Sequence, residues 1–276
     1  MKKIFILFAA VVLSAAMHAE VVFSEEHNVG SWNAQQLPVS GYDVLSKAGA
    51  GDLIVITVSA VEEGGRICLQ NMAWGGLGYD AYNVTTGVYP FVLTEAAAKE
   101  ISTNGLIVTG EKYTFNKVEL LYQKNALWEG ELGHDDDWAQ SDELDRNIFS
   151  GLVAGDILGF QVSNLTATSE WHCFALRVNW ETNVAEGWIS SEGTHVKILS
   201  ADDVTLLQGE NPVVLLARYL TITAVYPYSK TKSVTPTDID RTPVSVDNHR
   251  RLNLLGQPVD ENYKGIVIVN GKKVLQ

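Results

Sequence analysis

Aromatic side chains are the residues of this sequence best placed to do recognition chemistry. Seven Trp and ten Tyr stand in 276 residues that carry 33 Asp and Glu against 20 Lys and Arg, a net charge of −13. A flat ring offers an apolar face on which the C–H face of a sugar can stack, while nearby amides and guanidiniums hydrogen-bond the hydroxyls. Two stretches concentrate such groups. Trp74 is followed by Gly75-Gly76-Leu77-Gly78 and then by Tyr79 and Tyr82. Trp180 is followed by Glu181-Thr182-Asn183, and Trp188 lies at the far side of that loop. Gln70 and Asn71 precede the first loop, and Arg177 and Asn179 the second, as polar partners. Trp32 and Trp138 join them on grounds given below. The candidate carbohydrate-binding set is Trp180, Trp188, Arg177, Asn179, Trp138, Trp74, Tyr79, Tyr82, Gln70 and Trp32.

Other chemistries are poorly represented. Gly-x-Ser-x-Gly is absent, the six His are isolated, and no His pair has metal spacing. Carboxylates are abundant, but no acidic pair suited to glycoside hydrolysis recurs in the sequence, so no catalytic residue is assigned and no cofactor is expected. Cys68 and Cys173 have no close-spaced partners for zinc or redox work and read as free, mostly buried thiols. Asp135, Asp136, Asp137, Asp142, Glu143 and Asp145 offer hard oxygens for calcium. Their spacing does not match an EF-hand loop, and the stretch reads as a solvated acidic loop with no metal. An acidic surface repels phosphate, which excludes nucleic acid as a partner.

The elements that must position these groups come in two copies. Ala50-Gly51-Asp52-Leu53 recurs as Ala154-Gly155-Asp156-Ile157, and Val22-Phe23-Ser24-Glu25 lines up with Leu127-Trp128-Glu129-Gly130. Trp32 aligns with Trp138, and Trp74 with Trp180. Val92-Leu93-Thr94 matches Ile198-Leu199-Ser200, and Tyr113-Thr114-Phe115 matches Leu220-Thr221-Ile222. A shared Trp fits either a structural position or a duplicated binding site. The Asp52/Asp156 pair follows Gly at a turn, where a carboxylate caps the backbone.

Each copy reads as β. Leu53-Ile54-Val55-Ile56-Thr57-Val58 is a β-branched run, ended by a turn expected at Glu62-Glu63-Gly64-Gly65. Further strands are expected at 66–74, 106–110 and 114–122, with counterparts at 157–162, 171–180, 195–199, 213–217 and 220–226. Thr94 to Ile101 and Ser200 to Leu207 each begin with a hydroxyl cap, carry early acids and turn apolar, which predicts one short helix per copy. The fold class is therefore all-β: two tandem β-sandwich, jelly-roll-like domains, each with one short helix, plus a short C-terminal β-hairpin tail. Each copy holds a full set of strand signals and is expected to fold by itself.

The termini differ in kind. Lys2 and Lys3, the apolar run Ile4 to Leu13 and the small residues to Ala19 read as a secretory signal peptide cleaved after Ala16 or Ala19. The apolar run is too short to span a membrane and no other transmembrane segment is expected. The domains are 1–19 signal peptide, 20–124 first repeat, 125–228 second repeat, and 229–276 linker and tail. The tail carries eight basic and five acidic residues, and Asn270-Gly271 between Ile266–Val269 and Lys273–Val274 predicts a hairpin.

The repeat pattern, with its Trp-Glu-Gly opening, Ala-Gly-Asp turn and paired Trp, resembles the non-catalytic carbohydrate-binding-like β-sandwich modules of exported Bacteroidetes proteins. The ending Tyr263-Lys264-Gly265-Ile266-Val267-Ile268-Val269-Asn270-Gly271-Lys272-Lys273-Val274 resembles a type IX secretion sorting signal. The resemblance implies a secreted or cell-surface protein, periplasmic in one variant, that binds polysaccharide or oligosaccharide without catalysis and meets the secretion machinery through its tail. Two other classes stay open at this level: a structural or adhesive surface protein with protein partners, and a glycoside hydrolase or its accessory.

Overall fold

β-Branched and aromatic runs become strands throughout, because their side chains fit a pleated, half-buried surface. The computed structural model describes residues 20–167 and 169–229, and three tail strands at 251–253, 266–269 and 272–275. The expected leader, the linker after Ser229 and the Asn270-Gly271 turn lie outside the described residues. The first half contains β1 (Glu20–Phe23), β2 (His27–Asn28), β3 (Gln35–Pro38), β4 (Leu53–Gln70), β5 (Tyr82–Asn83), β6 (Gly87–Val92), α1 (Glu95–Asn104) and β7 (Gly105–Gln123). Its spine is the antiparallel pair β4–β7, which runs from Leu53↔Leu121 to Gln70↔Ile107. β7 carries β1, β2 and β3 on its other edge, and β4 carries β5 and β6.

Both spine strands run through two layers. The turn expected at Glu62–Gly65 is instead a register break within β4, between Val61 and Arg66. β7 bends opposite it, where Gly110 has φ +133° and Lys112 φ +59°. A Cβ on Gly110 would overlap the Arg66 carbonyl oxygen, so close backbone approach requires glycine there. The bend folds the two ends of the strands over one core: Ile54, Ile56, Val118 and Leu120 from one end meet Ile67, Leu69, Leu106 and Val108 from the other.

The second half contains β8 (Trp128–Gly133), β9 (Ala139–Gln140), β10 (Ile157–Ser163), β11 (His172–Val178), β12 (Thr182–Ile189), β13 (Gly193–Ile198), α2 (Ala201–Gln208), β14 (Val213–Arg218) and β15 (Thr221–Ser229). Here the long strands are broken in two. One sheet orders β13, β10, β15 and β8, and the other β12, β11, β14 and β9. Phe160 of the first stacks on Phe174 of the second at 4.7 Å in a core of their own. The expected strand 171–180 ends at Val178; Asn179 and Trp180 turn in the left-handed region (φ +54° and +60°), and β12 follows where a loop was expected.

Local chemistry sets the punctuation. Asp52 accepts from the Gly49 and Gln123 amides at 2.8 and 3.0 Å, and Asp156 accepts from the Val153 amide at 2.9 Å. Thr94 Oγ1 accepts from the Ala97 amide at the start of α1. Ser200 and Asp203 exchange side-chain and amide bonds in a full capping box on α2. Burial pushes the Asp203 carboxyl up, but the Ser200 amide and hydroxyl and the Lys197 ammonium outweigh it and hold it below the ordinary value of 3.8.

The outer sheet faces of the halves meet. Leu53, Val55 and Leu121 pack with Ile157 and Tyr228, flanked by Val92, Val196 and Ile198. Each such side chain contributes about 1.5–3 kcal/mol when fully buried. Tyr228↔Gln123 and Ser229↔Tyr122 join β15 to β7, so one sheet runs through both halves, which cluster as one compact unit. The tail is a separate unit, in which β16 (Arg251–Asn253), β17 (Ile266–Val269) and β18 (Lys272–Leu275) pair antiparallel. No helix among the described residues is long and apolar enough to cross a membrane.

Candidate functional site

Strand alternation fixes what the β12-β11-β14-β9 sheet shows to the outside. Phe174, Leu176 and Val178 point into the core, so Cys173, Ala175 and Arg177 point out. Register then places Trp188, Glu186 and Asn183 of β12 beside them, with Arg218, Leu216 and Val214 of β14 on the other side. Trp138, just before β9, lies across Ala175, Val214 and Leu216.

Three indoles gather on this face. Trp188 meets Trp138 at 6.4 Å and Trp171 at 6.2 Å, both at an interplanar angle of 88°. Trp171 is 65% exposed and Trp188 52%. Two rings perpendicular to a central one form a stepped apolar surface, with the outer ring centres no more than roughly 13 Å apart, against which sugar rings can stack.

Cations and carboxylates fix the surface. The Arg177 guanidinium lies 5.3 Å from the centre of Trp138, and that of Arg218 lies 5.6 Å from Trp138 and 5.9 Å from Trp188. Arg177 Nε donates to Asn183 Oδ1 at 2.6 Å, the Asn183 amide donates to Glu186, and Trp188 Nε1 donates to Glu186 Oε1 at 2.9 Å. Arg218 Nε donates to Asp137 at 2.6 Å. Rings and guanidiniums are thus held before any ligand arrives. Beneath them the Cys173 thiol is fully buried, and that burial, with Glu186 nearby, pushes its pKa up to about 11. Cys68 is half-buried and both cysteines are free.

The structure brings together Trp138, Arg177 and Trp188 of the sequence-predicted set. Trp188 is a strand residue, and does not share a loop with Trp180: it pairs with Cys173, far along β11 from the turn that holds Trp180 and Asn179. Trp74 sits in the corresponding turn of the first half, where Asn71 closes a backbone bond to Gly75, and Gln70 bridges to Gly76. The Trp32 amide donates to the Gly110 carbonyl beside the β7 bend. Tyr79 and Tyr82 both lie edge-on to Phe91, at a cleft between the halves. The four aligned tryptophans share one backbone state, with φ of +62°, +74°, +65° and +60° at Trp32, Trp138, Trp74 and Trp180. Bulky residues seldom adopt it, and holding one there costs about 1–3 kcal/mol.

Trp171, Glu186, Asn183, Arg218 and Asp137 were missed as site residues by sequence reasoning. Period-2 alternation along 172–178 and 213–218 signals which residues share a face, but not which strands are neighbours. The acidic loop is used structurally: Asp137 holds Arg218, Asp145 caps the turn at Arg146–Phe149, and the Thr166 hydroxyl and His134 keep the Asp135 carboxyl below its ordinary range. No group of His, Cys, Asp and Glu suited to a metal occurs among the described residues.

These strands and this face define a mostly β protein with an exposed aromatic surface. No family model and no curated protein matches the chain. Among solved structures it is similar to SGBP-B of a Bacteroides ovatus mixed-linkage glucan utilization locus, solved with a mixed-linkage heptasaccharide. The two share 15% identity over 65% of this chain and 48% of that chain, with a TM-score of 0.33. It is also similar to a conserved Pseudomonas aeruginosa protein of unknown function (13% identity, 74% of this chain, 78% of that chain, TM-score 0.20). A candidate secreted protein of Parabacteroides distasonis matches at 8% identity over 75% of this chain and 83% of that chain, with a TM-score of 0.22. The chain spans about half the length of the Bacteroides ovatus protein.

Proposed function

We propose that the chain is a non-catalytic, exported polysaccharide-binding protein. One observation carries the reading: Trp138, Trp171 and Trp188 form an ordered, solvent-facing surface on a single sheet face, with Arg177 and Arg218 held against it. Exposed tryptophan is costly to leave in water unless a partner covers it. The stepped rings suit successive pyranose faces, and the remaining N–H groups of the two guanidiniums, with the Glu186 and Asp137 carboxylates, suit the hydroxyls that project around them. The two carboxylates beside the rings are engaged, Glu186 by Asn183 and Trp188 and Asp137 by Arg218, which supports binding rather than turnover as the function assigned. The same reading takes 20–124 and 125–228 as two copies of one unit. Export by a leader at 1–19 and contact of the tail with secretion machinery rest on the sequence alone.

The test is affinity electrophoresis in gels containing soluble β-glucan, mannan or xylan. The parent is expected to be retarded by at least one, and Trp188→Ala to lose that retardation. A parent that is retarded by none, or a Trp188→Ala protein that runs with an unchanged shift, removes the platform from this role.

A further inference from the structure

We propose that the cleft where the two halves meet is a second sugar site, which takes one or two terminal rings of a neutral glycan while the platform takes the chain. This inference rests on the sugar-binding reading above. The cleft has a volume of about 640 Å³, within the roughly 300–1,000 Å³ of small-ligand sites, which favour junctions between folded units.

Its two walls have opposite chemistry. The first half supplies Tyr79, Tyr82 and Phe91. Each tyrosine ring meets Phe91 at 5.6 Å, edge-on at 73° and 64°. The wall is preformed: Leu77 anchors the glycine loop in the core, and the Tyr79 hydroxyl donates to the Val92 carbonyl at 2.9 Å. Tyr82 is held by strand pairing with Ile67 and keeps 49% of its surface exposed. The second half supplies Gln161, Glu192 and Thr194. Thr194 Oγ1 donates to Gln161 Oε1 at 2.6 Å, which fixes the amide and leaves its NH₂ as a donor. Glu192 Oε1 accepts from the Leu165 amide at 3.4 Å, which leaves Oε2 as an acceptor. Phe91 is itself buried and props the two tyrosines, so the exposed Tyr82 ring is the face a pyranose can stack on, opposite one donor and one acceptor. Among the described residues the lining holds the Glu192 carboxylate and no Lys or Arg, and its one imidazole, His195, is tied to the Ser191 carbonyl at 2.9 Å, so an acidic sugar is disfavoured and a neutral one selected. Tyr79 lies in the glycine loop, whose equivalent in the second half is the tight turn at Asn179 and Trp180, with no tyrosine.

The experiment uses the protein from Glu20 to Gln276 with cellobiose, laminaribiose, mannobiose and xylobiose, by calorimetry and tryptophan emission. The polysaccharide gels run in parallel. Among the described residues the cleft lining contains no tryptophan. A disaccharide is therefore expected to bind with heat but little change in emission, whereas polysaccharide shifts the emission. Tyr82→Ala and Gln161→Ala should each weaken disaccharide binding tenfold or more and leave gel retardation largely intact; Trp188→Ala should do the reverse. If Tyr82→Ala lowers the melting temperature, Gln161→Ala decides. Disaccharide affinity untouched by both cleft variants, or lost only in Trp188→Ala, overturns the cleft and leaves the platform standing. So does polysaccharide retention by a parent that binds no disaccharide. A parent that binds no sugar in either assay overturns both readings.

Discussion

On the proposed reading, Trp188 serves recognition and not folding. Its indole is half in solvent, so truncation removes a stacking surface without opening the core. Trp188→Ala should cost about 1.4 kcal/mol of binding, a tenfold fall in affinity, with little change in Tm. Phe149→Ala, at a residue only 1% exposed, should instead cost about 3–5 kcal/mol of stability. Cys173 lies opposite Trp188 in the ladder and supplies a reporter. In the folded protein its buried thiol should react slowly with iodoacetamide at pH 8, since its pKa stands near 11. Trp188→Ala should speed that reaction, and denaturation should make both cysteines titrate; peptide mapping of the labelled protein checks each. The residues that cap turns and helices were legible in the sequence, because Asp52, Thr94 and Ser200 act on amides within a few positions of themselves. Trp171 and Arg218 were not, since nothing local marks them: they reach Trp188 and Trp138 only once β11, β12 and β14 are in register.

At the scale of elements, the bend of β7 and the cap of α2 make separate demands. Gly110→Ala places a side chain against the Arg66 carbonyl at a φ of +133°, and should cost about 3 kcal/mol or more, read as a fall in the denaturation midpoint. The all-β character was legible from β-branched runs such as Leu53–Val58. The continuity of β4 through Glu62–Gly65 was not, because a bulge and a turn use the same glycine-rich chemistry. For α2, Asp203→Asn should cost about 1 kcal/mol at neutral pH. The Asp203 pKa is lowered in the folded state, so its contribution is present above the unfolded value and is lost as pH falls through the folded one. The stability gap between parent and variant should therefore be constant from about pH 5 to 8 and close in acid below about pH 4, measured by urea melts across that range.

For the whole molecule, the packing of Leu53, Val55 and Leu121 against Ile157 and Tyr228 decides how far the halves are independent. Each half has a core of its own, but Leu53, Val55 and Leu121 on one side and Ile157 and Tyr228 on the other face solvent if the chain is divided. Made separately, 20–124 and 125–228 should expose that face, bind a hydrophobic dye and, when mixed, recover a complex on size-exclusion chromatography. Two well-behaved monomers that ignore each other would show the junction to be dispensable. The sequence spacing marked two similar stretches but carried no sign of this contact, since an outward-facing Leu or Val reads the same whether water or a second sheet covers it.

The position of β15 has a mechanical consequence. It runs between β10 on one side and β8 and β7 on the other, with seven residue pairs to β10 alone. A force drawn along it from the Ser229 end loads those hydrogen bonds together, in shear, rather than opening them one after another like a zip. If the second half grips a polymer as proposed, a protein tethered there would resist detachment by tearing of its own sheet; in a pulling experiment it should yield at high force in a single event, whereas β12, an edge strand paired to β11 among the described residues, should peel away first when the load enters through the tryptophan-bearing sheet.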